Sequence, residues 1–163
     1  MIGHGIVSAG LFFIIGGLYR KHGTRLLTYY GGLVTKMPLF SLYLFIFCLA
    51  NVATPGSCNF IGELMVFVSI MEKNFFSFLL TATSVVLSVV YTMLLFNRII
   101  FGNFKINYIS NWTDIDKKEN FVYGLLVILT IFFGICPNYI CDYTFITVLN
   151  ITEILKFKLL FSF

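Results

Sequence analysis

The 163-residue chain is 59% hydrophobic and only 11% charged, where a soluble domain carries roughly 45–50% apolar and about 25% charged residues. With a mean hydropathy of +0.94, these proportions exclude a soluble globular enzyme and leave no room for a separate head holding a nucleotide or catalytic site. The net charge of +4 comes from cations confined to connections between apolar runs, so it reflects membrane topology, and no nucleic acid partner is expected.

Uncharged runs occupy residues 1–19, 38–62, 74–97 and 120–141. Because about 20 apolar residues make one crossing, they predict an all-α fold: a single polytopic transmembrane bundle of about four spans over 1–163. The first span, 2–19, starts directly from Met1 without a basic lead or a small-residue cleavage site, so no removable signal peptide is expected. Its small residues (Gly3, Gly5, Ser8, Ala9, Gly10, Gly16, Gly17) predict close helix approach. Gly3 and Gly10 do not form a GxxxG pair, so no dimer motif is assigned. The connection 20–36 carries Arg20, Lys21, Arg25 and Lys36 with no acid.

The second run, 37–71, contains one charge, Glu63. As one helix it would reach about 52 Å, well beyond a hydrocarbon core of ~30 Å. Pro55 removes a backbone donor and Gly56 permits non-helical conformations, so the break falls there. Either one discontinuous span or two short spans with a tight turn would fit. Irregular backbone at membrane depth must be buried in protein or line a cavity, and the discontinuous span is the preferred reading.

The third span, 75–97, follows a polar turn at Glu72-Lys73-Asn74. The connection 99–119 then carries Lys105, Asp114, Asp116, Lys117, Lys118 and Glu119. If 37–71 crosses once, both basic connections lie on one side of the membrane, as the positive-inside rule requires. Two crossings would separate them. The fourth span covers 121–141 with Pro137 near its end, and the tail 142–163, with Glu153, Lys156 and Lys158, reads as an interfacial helix.

An acid inside a membrane run costs at least a few kcal/mol to keep charged and is expected to face the bundle interior, pair, or line a water path. Glu63, about two turns beyond the break where freed backbone groups admit water and ions, is therefore the leading candidate for proton transfer. The alternative is a Glu near the membrane edge. His4 is the second candidate, since histidine changes charge near physiological pH; the alternative is an interfacial position near the amino terminus. Ser8, Thr54, Ser57, Asn59, Ser84, Ser88, Tyr91, Thr92 and Asn97 could hold a water chain or serve as interhelical glue. Of these, Ser8, Asn59 and Tyr91 are the chosen path candidates.

Lys36 and Arg25 read as anchors. Cys48, Cys58, Cys136 and Cys141 lack metal or disulfide spacing and read as small hydrophobes, so no metal is expected. Asn111-Trp112-Thr113 and Asn150-Ile151-Thr152 match the glycosylation pattern and are taken as chance. No GxGxxG, P-loop, HExxH or Ser/His/Asp set supports hydride transfer, phosphoryl transfer or hydrolysis, and no catalytic residue is assigned.

Several stretches resemble one known family. They are Gly3-His4-Gly5-Ile6-Val7-Ser8-Ala9-Gly10-Leu11-Phe12-Phe13, Tyr19 followed by His22-Gly23-Thr24-Arg25, Gly31-Gly32-Leu33 and Lys36-Met37-Pro38. Above all there is Ala50-Asn51-Val52-Ala53-Thr54-Pro55-Gly56-Ser57-Cys58-Asn59-Phe60-Ile61-Gly62-Glu63, and the match continues along Ser88 to Gly102. They are similar to the C-terminal third of the antiporter-like chain 4 subunits of respiratory complex I, the proton-translocating NADH:ubiquinone oxidoreductase. The likeness covers roughly residues 2–103, and Pro-Gly-x-x-Asn-Phe-x-Gly-Glu is its specific part. The last span and the tail carry no such motif.

The resemblance implies a membrane-arm subunit that moves protons by charged residues at mid-membrane. Glu63 falls on the family's acid in the second discontinuous helix, assigned to the exit half, and His4 on the histidine of the central polar axis. It further implies the mitochondrial inner membrane and no cofactor in this chain, with flavin, iron–sulfur clusters and ubiquinone held by other subunits. The expected partners are other membrane-arm subunits, including a chain carrying the spans and lysines missing upstream, neighbouring antiporter-like subunits, and lipids. The family places an acid after the tyrosine matching Tyr19, where this chain has Arg20-Lys21 instead. A separately made fragment is the leading expectation. A non-conducting scaffold and a subunit of a related cation/proton antiporter are the alternatives.

Overall fold

The computed structural model describes residues 1–103 and 113–160. Lys105, the side chains of Lys156 and Lys158, and Asn111 and Trp112 of the first glycosylation pattern lie outside the described residues. Those described form six α-helices and two short 3-10 turns, with no strand among them.

Helix α1 (Ile2–His22) ends where Gly23 turns left-handed at φ 67° and its amide donates to Tyr19 O at 2.7 Å, a conformation glycine adopts without a Cβ penalty. The 3-10 turns Leu27–Tyr29 and Leu33–Thr35 fill the basic connection. Helix α2 (Pro38–Asn51) opens with proline, whose missing donor costs nothing in the first turn. Helix α3 (Cys58–Lys73) follows the break, and α4 (Phe75–Ile100) is capped by the Asn74 side chain accepting from Phe76 N at 3.0 Å. Helix α5 (Lys117–Ile135) starts with an Asp116/Glu119 capping box, and α6 runs over Asn138–Leu160.

Helices α1, α4 and α5 are long and apolar enough to cross a membrane. The broken run 37–71 is divided between α2 and α3, and α4 shows how its halves are arranged. Phe78 on α4 meets Phe67 on α3 with ring centroids 6.1 Å apart, whereas Phe96, roughly 27 Å further along the same helix, meets Phe45 on α2 at 5.2 Å. A hairpin of α2 and α3 would bring both contacts to one level. The halves are instead stacked end to end beside α4, as the discontinuous reading requires.

The two basic connections meet at one end of the bundle. Gly32 N donates to Phe101 O at 3.2 Å, and Lys21 Nζ donates to Asp114 O at 2.6 Å. The buried core, with Ile14, Leu33, Met37, Leu44, Phe47 and Ile100, lies in this half, while α3 has no buried residue. Packing is therefore tight where loops converge and open around the second half of the broken span.

Several boundaries differ from the sequence reading. Helices α1 and α4, the first and third expected spans, run on to His22 and Ile100, because positive charge and apolar packing continue their last turns. Helix α5 stops at Ile135 rather than near Cys141, because Pro137 has no amide to donate and disfavours helical geometry just before it. A new helix starts at Asn138, so the tail is helical from there. The second glycosylation pattern, Asn150-Ile151-Thr152, lies within α6, and all four cysteines are free, with only Cys48 buried.

Candidate functional site

The site is built around the break. After Asn51 the chain leaves the helix through Ala53, which adopts φ 57°, and turns at Gly56, whose φ of 93° is disfavoured for residues with a Cβ. The carbonyls at the end of α2 lose their helical donors here and need others. Thr54 N donates to Leu49 O at 3.2 Å, and the Asn59 side-chain amide on α3 reaches back to Ala50 O at 3.2 Å. Ser57, at the start of α3, is 7% exposed, and its hydroxyl has no hydrogen-bond partner among the described residues. The break thus keeps polar groups inside the bundle.

Close helix approach brings α1 to this point. A Cβ on Gly3 would stand 2.9 Å from Asn59 Oδ1 and 3.1 Å from the Cys58 backbone, so glycine lets the first turn of α1 lie directly on the first turn of α3. Gly10 and Gly17, each seven residues further on the same face, sit against the Phe47 ring and the Tyr123 hydroxyl. Gly5 and Gly16 meet nothing within 4 Å. The five glycines of α1 therefore divide by face: three make contacts and two do not.

Beside the break lies an open cleft of about 570 Å³ walled by α1, α3 and α4. Glu63 and His4 both line it, from different helices, together with Asn59, Ser84, Ser88 and Tyr91. Glu63 is half-buried, and His4 and Tyr91 are exposed. Among the described residues no side chain donates a hydrogen bond to the Glu63 carboxylate. On its other side Glu63 borders an apolar cavity of about 290 Å³ formed with Phe60, Leu64, Phe67, Met71 and Phe78. Glu63 thus stands at a boundary between a polar cleft and an apolar pocket.

The remaining candidates are placed differently. Ser8 lies outside the cleft, its hydroxyl donating to Gly5 O at 3.2 Å. Ser84, Ser88 and Thr92 each donate to a carbonyl of their own helix, at 2.7 or 2.8 Å. Their hydroxyls serve α4 first, and only their acceptor lone pairs face elsewhere. Asn97 belongs to another cavity, at the loop end. Pro55 and Gly56 form the turn itself, and the Gly56 backbone packs directly against Gly134 of α5. Among the described residues no group of three His, Cys, Asp or Glu side chains could hold a metal.

Sequence reasoning missed Glu119 and Asp114. Arg20 and Lys21, expected to lack the family's acidic neighbour, find Glu119 on α5 instead, with Lys21 Nζ 3.4 Å from its carboxylate and the Arg20 guanidinium bonded directly to it. The Asp114 carboxylate accepts from Leu39 N at 3.0 Å and Phe40 N at 3.2 Å, occupying the start of α2. The available signal was the cluster of acids between the third and fourth spans.

Residues 1–91 match the family model described as NADH:quinone oxidoreductase/Mrp antiporter, transmembrane. The chain belongs to this family. Among curated proteins it is similar to NADH-ubiquinone oxidoreductase chain 4 of Acanthamoeba castellanii, 46% identical over 140 residues that cover 86% of this chain and 28% of the relative. The same-named proteins of Marchantia polymorpha and Arabidopsis thaliana are 37% and 36% identical over 157 residues, covering 96% of this chain and 32% of each relative. The chain thus spans about a third of the length of these relatives. The likeness also extends beyond the motif-bearing stretch 2–103, into the last helices. The broken span, the His4 and Glu63 cleft and the glycine face of α1 all lie within the part matched by the antiporter-family model.

Proposed function

We propose that this chain forms part of an antiporter-like membrane-arm subunit of respiratory complex I in the mitochondrial inner membrane and carries the exit part of a proton path coupled to NADH:ubiquinone electron transfer. The observation that carries this reading is the placing of Glu63 and His4, from separate helices, on one polar cleft beside a broken span. A carboxyl group between a polar cleft and an apolar pocket is poised to change protonation when neighbouring charges change. His4, Asn59 and Tyr91 line the route by which water reaches it.

In this reading Glu63 binds a proton when its own charge is disfavoured and releases it towards the exit side when the surrounding field reverses. The driving electron transfer takes place elsewhere, and flavin, iron–sulfur clusters and ubiquinone belong to other subunits. The partners are those subunits, the chain or segment carrying the upstream spans with their lysines, and neighbouring antiporter-like subunits.

The test is Glu63→Gln in the assembled complex, reconstituted into sealed vesicles. The expected result is loss of NADH-driven proton translocation with assembly intact. Normal translocation by the assembled variant overturns the proton path and leaves a structural scaffold in its place. Sodium-dependent transport in membranes lacking a redox complex would instead support a cation/proton antiporter.

A further inference from the structure

The cations at the loop end of the bundle are not equivalent. Arg20 and Lys21 are engaged by Glu119, and the Arg25 guanidinium lies over the Tyr19 ring, 4.5 Å from its centroid. Arg98, in the last turn of α4, has no carboxylate partner among the described residues. It lines a cavity of about 390 Å³ with Asn97, Asn103, Tyr30, Gly31 and Gly102. Among the described residues no acid lines this cavity, and its side chains offer a guanidinium and two amides as donors.

The cavity is built rather than incidental. Its floor is tied by the Gly32 to Phe101 backbone bond, and a Cβ on Gly31 would stand only 2.9 Å from Asn103 O, so the two connections touch here through glycine. Tyr30 is 3% exposed and donates to Thr24 O at 2.7 Å. Burial pushes its hydroxyl above the ordinary range, so it stays neutral beside any anion.

Depth decides what kind of anion fits. Helix α4 crosses the membrane and ends at Ile100, which puts Arg98 at headgroup level on the basic side. Leu94 and Leu95 one turn deeper, and Phe101 beside the cavity, are exposed apolar surface where acyl chains would lie. A guanidinium matches phosphate oxygens with two parallel bonds, and basic pockets at the ends of membrane helices suit anionic headgroups.

We propose that the cavity around Arg98 is a binding site for the phosphate of an anionic phospholipid, held by the Arg98 guanidinium and the Asn97 and Asn103 amides. The site shares no lining residue with the Glu63 cleft and stands independently of the proton path.

The test uses the assembled membrane complex, wild type beside Arg98→Gln, Arg98→Lys and Asn103→Ala, extracted in mild detergent. Retained phospholipid is counted by mass spectrometry of lipid extracts. The expected result is loss of about one anionic lipid per complex in Arg98→Gln, and partial loss in Asn103→Ala and in Arg98→Lys, whose point charge keeps the attraction but not the two parallel bonds. Refilling of delipidated wild type by cardiolipin-containing vesicles, but not by phosphatidylcholine vesicles or inorganic phosphate, identifies the lipid as the source of the phosphate. Equal retention by wild type and Arg98→Gln overturns the proposal, as does displacement of the lipid by inorganic phosphate. If Arg98→Gln does not assemble, equal retention by wild type and Asn103→Ala overturns it.

Discussion

Glu119, in the first turn of α5, receives both Arg20 and Lys21 from the last turn of α1, and its second oxygen also accepts from Asp116 N at 3.2 Å. One carboxylate thus caps its own helix and fastens a neighbouring crossing to it. Lys21 extends the connection by donating to Asp114 O, while the Asp114 carboxylate closes the start of α2. Three helix ends are held by two acids at the loop end of the bundle.

Replacing Glu119 by Gln should therefore loosen the bundle without touching the cleft. The Glu119 side chain is 11% exposed, so Lys21, at 13%, would keep a largely buried charge with a weaker partner. Arg20, at 69%, loses little because water screens it. Gln can still accept from Asp116 N and keep the cap, so the cost comes from Lys21 left with a neutral partner, about 1–3 kcal/mol. The expected outcome is a complex that melts several degrees lower with its proton translocation per electron unchanged, measured by thermal inactivation and vesicle acidification.

The glycine face of α1 gives a sharper contrast. Alanine at Gly10 would overlap the Phe47 ring, which is itself fully buried, so the helices must separate. Overpacking of this kind costs roughly 1–3 kcal/mol. Alanine at Gly16 meets nothing within 4 Å and should be neutral or stabilising by up to about 1 kcal/mol through better helix propensity. Parallel assembly assays of the two variants, read as the steady-state level of complex, should show a deficit for Gly10→Ala alone.

Asn59 links fold and site in one side chain. Its amide satisfies Ala50 O at the cut end of α2, and it lines the cleft shared by Glu63 and His4. Asn59→Ala strands that carbonyl, which costs about 1–3 kcal/mol where water is excluded, and widens the cleft. Proton translocation and thermal stability should fall together in this variant. Glu63→Gln should affect translocation alone, so comparing the two separates support of the break from proton transfer.

The broken span was legible because its cause is local: proline and glycine fix backbone geometry wherever they stand. The run lengths, too, follow from hydrocarbon thickness. Glu63 stood out because a lone acid in an apolar run is costly. The pairing of Arg20 and Lys21 with Glu119 was not legible, since it joins residues about a hundred positions apart and periodicity says nothing of which helix ends meet. The placement of Ser8 outside the cleft was not legible either: a serine within a helix commonly bonds its own backbone, and this one does. The even glycine content of α1 also hid a division that only the neighbouring Phe47 and Tyr123 reveal.

The contact between Gly56 and Gly134 offers the most direct test of how the break is held. A Cβ at Gly134 would run into the Gly56 and Ser57 backbone rather than into a movable side chain, so nothing nearby can yield except the turn itself. Gly56 in turn is held at φ 93°, where any Cβ is strained. Gly134→Ala should therefore displace the turn and, with it, the Ser57 and Asn59 groups that open the cleft. Gly62→Ala, on the wall of the same cleft one residue from Glu63 but with nothing within 4 Å, controls for added bulk beside the acid. The expected outcome is impaired proton translocation in Gly134→Ala and near-normal translocation in Gly62→Ala, measured in vesicles at equal complex content. Equal activity of the two would mean that the turn tolerates displacement and that α5 does not set its position.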